Sequence, residues 1–306
     1  MKLEPSFADA GAAGVLVPGS GANTAYGTPD AYKRRIARYY DQTQMLYDVL
    51  WSHSHVHYGF WDADTIRRET AMRNMSRLVA TQLALPRGAA VLDAGCGIGG
   101  SSFLLAEDCG FEVVGLTLSE VQLRRAQRRR RYSRASIKPR FLLGDYMRTG
   151  FPDRSFDGIF AIESVCYAEP KERFLAEAFR LLRPGGRLVV CDGFLSRRVP
   201  PRERRDYERF LAGFELQNLA TVARFTKDMR RVGFTRIGTM DKTAAVMPSA
   251  YMIEGLSYIG LGVCAVPCLL GLFPRTWFRH GLTGITQRRL FQRGTFAYCV
   301  FTGTRP

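Results

Sequence analysis

The sequence is poor in acidic residues, in histidine and in closely spaced cysteine. Its seven cysteines (Cys96, Cys109, Cys166, Cys191, Cys264, Cys268 and Cys299) include no CxxC pair, and Cys264 and Cys268 are the nearest neighbours. Without zinc-type spacing and with an odd count, they read as reduced thiols in a cytosolic protein. Of the four histidines, His53, His55 and His57 alternate along one short segment. No carboxylate stands near enough in sequence to orient a ligand ring, so no metal site is expected. The first 30 residues lack the unbroken apolar core of a secretory signal, and their Gly, Ala, Pro and Ser content predicts a mobile tail. No internal repeat is present. Asp and Glu total 28 against 44 Lys and Arg, a net charge of +16 that draws the molecule toward anionic surfaces. Arginine dominates that excess along the whole chain, which reads as a compositional bias. No nucleic-acid recognition module accompanies it, and no nucleic-acid partner is expected.

What is present is the balance of a soluble globular protein, 46% apolar and 24% charged over 306 residues. The stretch Ala31 to Asp62 has aromatic and aliphatic residues at helical spacing, and Thr65–Leu83 reads as a second helix. Short apolar runs then alternate with helical intervals: Ala89–Asp93, Phe111–Leu116, Arg140–Leu143, Phe156–Ile162 and Arg187–Asp192. That alternation predicts crossover units and a parallel sheet covered on both faces, a doubly wound α/β fold. Residues 195–230 read as helical, Thr235–Val246 as a sixth strand and Arg293–Thr302 as a seventh. The expected division is a tail over 1–30, a helical cap over 31–80, a ligand-binding core over 81–246, an apolar lid over 247–292 and a final core strand over 293–306.

The run VLDAGCGIGG places a glycine-rich turn between the first strand and a helix, with Gly95, Gly97 and Gly100 in GxGxxG register. Such a turn lets backbone approach a ligand with no Cβ in the way, a need shared by several nucleotide-binding classes. A dinucleotide enzyme also wants a carboxylate about 20 residues on for a ribose. Here the second strand ends Gly115-Leu116-Thr117-Leu118-Ser119, with hydroxyls only. Asp93 closes the first strand, where it can pair with an amino acid's ammonium. Asp145 closes the third, where it can accept from an adenine amino group.

VLDAGCGIGG, then VVGLTLSEVQLRRAQ, GDY and FLAEAFRLLRPGGRLVVCDGF, in that order over about residues 80–240, resemble the class I S-adenosylmethionine-dependent methyltransferases. The resemblance implies a seven-stranded Rossmann-like sheet with helical caps at both ends, and S-adenosyl-L-methionine as cofactor. Asp93, Gly95, Cys96, Gly97, Gly99, Thr117, Leu118, Ser119, Gln122, Gly144, Asp145, Tyr146 and Ile162 are the residues it would place around that cofactor. LTLSEVQ is similar to the branch holding tocopherol O-methyltransferases, sterol C-methyltransferases and cyclopropane-fatty-acid synthases. There the hydroxyls and the glutamine take the ribose contact, which implies Thr117, Ser119 and Gln122. FAIESVCYAEP resembles a sterol methyltransferase segment, with Tyr167 in place of its histidine, and HYGFWD resembles an element of the tocopherol type. The last 60 residues match no named element.

Glu163 ends the fourth strand beside the expected methyl donor and is the first candidate for the chemistry, with His57 and Tyr40 as further candidates. Trp51, Trp61 and Tyr167 are expected against the acceptor, where aromatic faces also stabilise a cation. Leu256–Phe273 runs 18 residues without a charge but holds Pro267 and lies between two strands of one sheet. It is expected as an apolar lid, flanked by Arg275 and Arg279, over a lipophilic substrate. The reading is a methyltransferase of an isoprenoid or sterol-like acceptor, acting on an alkene carbon, cytoplasmic and peripheral at a membrane. O- or N-methylation of a phenolic or prenylated natural product, and a non-catalytic binding or cyclisation module, remain alternatives. A homo-oligomer is compatible with all of them.

Overall fold

The computed structural model describes residues 29–306, and the expected tail, apart from its last two residues, lies outside them. Seven strands form one sheet in the order β3-β2-β1-β4-β5-β7-β6. They are β1 (Ala90–Ala94), β2 (Glu112–Thr117), β3 (Arg140–Leu143), β4 (Phe156–Ile162), β5 (Leu182–Leu195), β6 (Thr235–Asp241) and β7 (Phe296–Thr304). The first five pair in parallel, and β7 inserts antiparallel between β5 and β6. Every residue of β1 is buried, as expected of a central parallel strand covered on both faces. Two apolar cores flank the sheet, one containing Val91, Phe160 and Tyr298, the other Leu92, Ile159 and Phe301.

Helices α1 (Pro29–Leu46) and α2 (Arg68–Leu83) precede the sheet. Between the strands lie α3 (Gly100–Leu104), α4 (Glu120–Arg130), α5 (Lys171–Leu181), α6 (Arg204–Phe214), α7 (Val222–Val232), α8 (Thr243–Leu269) and α9 (Arg275–Gln292). Two expectations are corrected here. The helical stretch expected over 195–230 is two helices, because Glu215 takes a left-handed turn that ends α6 and the Thr221 hydroxyl caps α7. The sixth strand stops at Asp241, five residues early. The Asp241 carboxylate accepts from the Thr243 amide at 2.8 Å, the chain turns, and Val246 is buried on a helix instead. The apolar run expected as a lid continues α8 through Pro267 to Leu269, and α8 packs along α9.

The strand order reverses between β1 and β4. In an open α/β sheet the carboxyl ends of the strands leave a crevice at that switch point. Asp93 and the glycine turn form one side of it, Ile162 and Glu163 the other.

Candidate active site

Two cavities meet at the switch point. The smaller, with an empty volume of about 810 Å³ including its mouth, is lined by the glycine turn and the ends of β1, β2 and β4. The larger, about 1260 Å³ on the same measure, lies between the sheet edge, α1, α6, α8 and α9. Tyr40, Val56, His57, Glu163 and Tyr167 line both and form the wall between them.

The smaller cavity holds most of the residues expected around a cofactor. Asp93, Gly95, Cys96, Gly97, Thr117, Leu118, Ser119, Gln122, Tyr146 and Ile162 all line it. The Asp93 carboxylate is buried and accepts from the Ser102 hydroxyl at 2.6 Å. Burial raises its pKa to about 7 despite that bond, so it stands ready to gain a cationic partner. Gly95 has φ +101°, and a Cβ there would lie 2.4 Å from Ser164, so no other residue fits. At Gly100 a Cβ would lie 2.1 Å from the Ser54 carbonyl, because residues 52–58 cross directly over the turn. Arg129 fastens that strap by donating to the carbonyls of Ser54 and Ile98 at 3.0 and 3.2 Å. The arginine-rich helix α4 is therefore partly structural.

Three expected cofactor residues do not reach the cavity. Gly99 packs against the rings of Phe103 and Phe141, and Gly144 sits beside Leu116. Asp145 pairs with the Lys33 ammonium at 2.7 Å and accepts from the Met147 amide, which turns it toward α1. The hydroxyls expected at the ribose line the cavity with bonds already made: Ser119 Oγ donates to Asp41 at 2.5 Å and caps α4, and Thr117 Oγ1 donates to Gln122 at 3.1 Å.

In the shared wall, Glu163 adopts a left-handed backbone, φ +50°, that carries its side chain off the strand end. Its Oε1 accepts from the Tyr58 amide and the Tyr298 hydroxyl, both at 2.9 Å. Burial is the largest influence and raises its pKa to about 8; the nearby Asp192 adds to the rise, and the two hydrogen bonds oppose it. His57 is neutral, its pKa lowered to about 4 by burial. Its Nδ1–H donates to the Tyr58 carbonyl at 2.7 Å, which leaves Nε2 to accept from Ser101 at 3.4 Å. Tyr40 donates to the Tyr167 hydroxyl at 3.2 Å.

The larger cavity is aromatic, with Tyr47, Trp51, Phe210, Phe214, Trp277 and Phe291 among its walls. Of the expected acceptor contacts, Trp51 and Tyr167 are there. Trp61 is not: its indole donates to Ser249 at 2.8 Å and pins the strap to α8. No lysine or arginine lines either cavity among the described residues. The sequence reading missed Asp192, Gln287 and His280, which line the larger cavity. Asp192 had a signal, a carboxylate near the end of an apolar strand. The two on α9 had none, since a helix far along the chain reaches the site only through packing.

A methyltransferase-domain family model matches residues 92–190. The chain is 34% identical over 239 residues to the O-methyltransferase cnsE of Penicillium expansum, covering 74% of this chain and 82% of that protein. The chain belongs to the class I S-adenosylmethionine-dependent methyltransferases. This methyltransferase is also 29% identical over 262 residues to the 2-methyl-6-phytyl-1,4-hydroquinone methyltransferase of Synechocystis sp., covering 81% of this chain and 77% of that one. In fold it resembles the cyclopropane synthase MmaA2 of Mycobacterium tuberculosis, with a TM-score of 0.78, 19% identity and coverage of 89% and 98%. The methyltransferase uses S-adenosylmethionine.

Proposed function

We propose that this methyltransferase transfers its methyl group to a neutral, lipophilic isoprenoid or sterol-like acceptor held in the larger cavity, at an alkene carbon. The observation that carries the reading is Glu163, a buried carboxyl in the wall common to both cavities, facing a chamber rich in aromatic side chains. The cofactor supplies a methyl already activated on a sulfonium, so the chain's own work is to position the acceptor, exclude water and handle a proton. Methylating an alkene leaves positive charge on the acceptor and a proton to lose. Aromatic faces such as Tyr40 and Trp51 stabilise the charge, by roughly 0.5–2 kcal/mol each, and Glu163 takes the proton. The lack of lysine and arginine among the described lining residues disfavours a diphosphate-bearing acceptor, since that charge would be buried unpaired. An isoprenoid chain in the acceptor agrees with the phytyl group in the name of the Synechocystis relative.

In this reading Asp93 holds the methionine ammonium, Gly95, Cys96 and Gly97 admit the cofactor closely, and Thr117, Leu118, Ser119 and Gln122 border its ribose. Tyr146 and Ile162 complete the wall of that cavity. His57, neutral and bonded at both nitrogens, positions Tyr58 and hence Glu163. A phenolic oxygen on a prenylated ring is a second reading, favoured by the O-methyltransferase relative, with Glu163 taking the phenol's proton. Incubation with methyl-labelled S-adenosylmethionine and a panel of prenylated quinols, polyprenols and sterols tests both. Label on carbon, located by NMR, is expected; label on oxygen selects the second reading. No label in any member of the panel, with S-adenosylmethionine bound, sinks both.

A further inference from the structure

We infer that Gln287 is a recognition site for an oxygen on the acceptor, so that the molecule methylated here carries a carbonyl or hydroxyl near its reacting carbon. The inference rests on the larger cavity being the acceptor cavity. Gln287 lies on α9, is fully buried and lines that cavity. Its Oε1 accepts from the Tyr58 hydroxyl. Its Nε2, a two-proton donor, is buried with no hydrogen-bond partner among the described residues. Flipping the amide does not remove the problem, because Tyr58 would then have to accept while an amide oxygen took over the orphaned place. A buried donor left unmatched costs about 1–3 kcal/mol, and a ligand oxygen removes that cost on binding.

Position refines the ligand. Tyr58 donates through its backbone amide to Glu163 and through its hydroxyl to Gln287. The proton-handling carboxyl and the unmatched donor therefore sit at the two ends of one tyrosine. An acceptor lying along that side chain presents its oxygen about one tyrosine's length from the atom at Glu163. This geometry fits an oxygenated ring bearing a prenyl chain. It does not fit a sterol with its hydroxyl at the far end of the skeleton from the methylated side chain.

The test compares 4-geranylacetophenone, whose ketone only accepts hydrogen bonds, with 4-geranyl-ethylbenzene, its counterpart lacking the carbonyl oxygen. Binding is read from the fluorescence of Trp51 and Trp277, which line the cavity. The unaltered protein should bind the ketone about tenfold more tightly, the factor expected for one net hydrogen bond to a buried donor. Gln287→Met should erase that ratio. Gln287→Leu, a second substitution that lacks the amide donor, should erase it too. Both variants must still bind S-adenosylmethionine, which shows that they are folded. Equal binding of the two probes by the unaltered protein, or a preference retained in either folded variant, overturns the assignment of Gln287 alone. Failure of both probes to bind overturns the acceptor-cavity reading and this inference with it.

Discussion

In the proposed reading the chemistry rests on Glu163, a carboxyl whose pKa burial pushes up to about 8. As a base it acts in its carboxylate form, so kcat/KM should rise with pH and level off above about pH 8. Glu163→Gln should flatten that profile and slow transfer at least about tenfold while leaving cofactor affinity intact. An unchanged rate would remove Glu163 from the mechanism. Tyr298 supplies one of the bonds that favour the carboxylate. Tyr298→Phe should therefore move the inflection to higher pH, and a shift to lower pH would contradict the assigned bond. Burial pushes the Asp93 pKa up to about 7, so part of the population carries a proton near neutral pH. Pairing with a cationic ammonium favours the carboxylate, so cofactor binding should release a fraction of a proton. Calorimetry in two buffers of different ionisation enthalpy measures that fraction directly. Asp93→Ala should weaken binding at least about thirtyfold, in line with the 2–5 kcal/mol typical of losing one partner of a buried charge pair. At this scale the sequence was informative wherever a residue closes a strand: Asp93, Thr117, Ile162 and Glu163 could be placed from the strand pattern. Asp145, expected to close the third strand, lies two residues past the end of β3, where Lys33 on a separate helix claims its carboxylate, and no local pattern announces that pairing.

Between elements, the strap of residues 52–61 links the smaller cavity to the larger one. It crosses the glycine turn at Ser54, supplies Val56 and His57 to the common wall, and ends on α8. The fully buried Ser249 hydroxyl on α8 accepts there from the Gly59 amide at 3.0 Å and from the Trp61 indole at 2.8 Å. Ser249→Ala leaves two donors unmatched and should destabilise the protein by about 2–4 kcal/mol, read as a clear drop in Tm. Cofactor affinity should fall with it, because the strap roofs that cavity; a lower Tm with unchanged cofactor affinity would separate the strap from cofactor binding. The strap also shows why strands were easier to read than caps. A buried parallel strand is an apolar run of fixed period, legible by itself. Trp61 was expected against the acceptor on the strength of its aromatic ring, but its position depends on a serine 188 residues away. The early end of β6 has a similar cause in reverse: the apolar Ala244-Ala245-Val246 suits strand or helix equally, and a single Asp241 carboxylate decides for the helix.

Taken whole, the described residues leave an apolar face of α8 exposed. The most apolar 18-residue window of α8 is only 11% buried. Ile259, Val263, Val266 and Leu269 are between 61% and 82% exposed, and Leu270 and Leu272 extend the patch past the helix end. The other side of the same helix, at Ser257 and Cys264, lines the larger cavity. Although α8 is long enough to cross a bilayer, α9 packs along it and the chain returns to β7 inside the sheet. A helix so tied fits better lying on a membrane surface than spanning it. The exposed Arg275 and Arg279 border the patch, within a chain of net charge +16, and complement acidic headgroups. A lipophilic acceptor would then pass from the bilayer beneath α8 without crossing water. The protein should co-sediment with vesicles containing about a third anionic lipid, and less so as salt screens the arginines. Replacing Ile259 and Val263 together with Asp should release it from the vesicles while S-adenosylmethionine still binds, since neither side chain lines a cavity. If the patch instead covers a second copy of the chain, the unaltered protein will run as a dimer, the double variant as a monomer, and neither will sediment with lipid. That outcome would leave the acceptor to reach the cavity through solution.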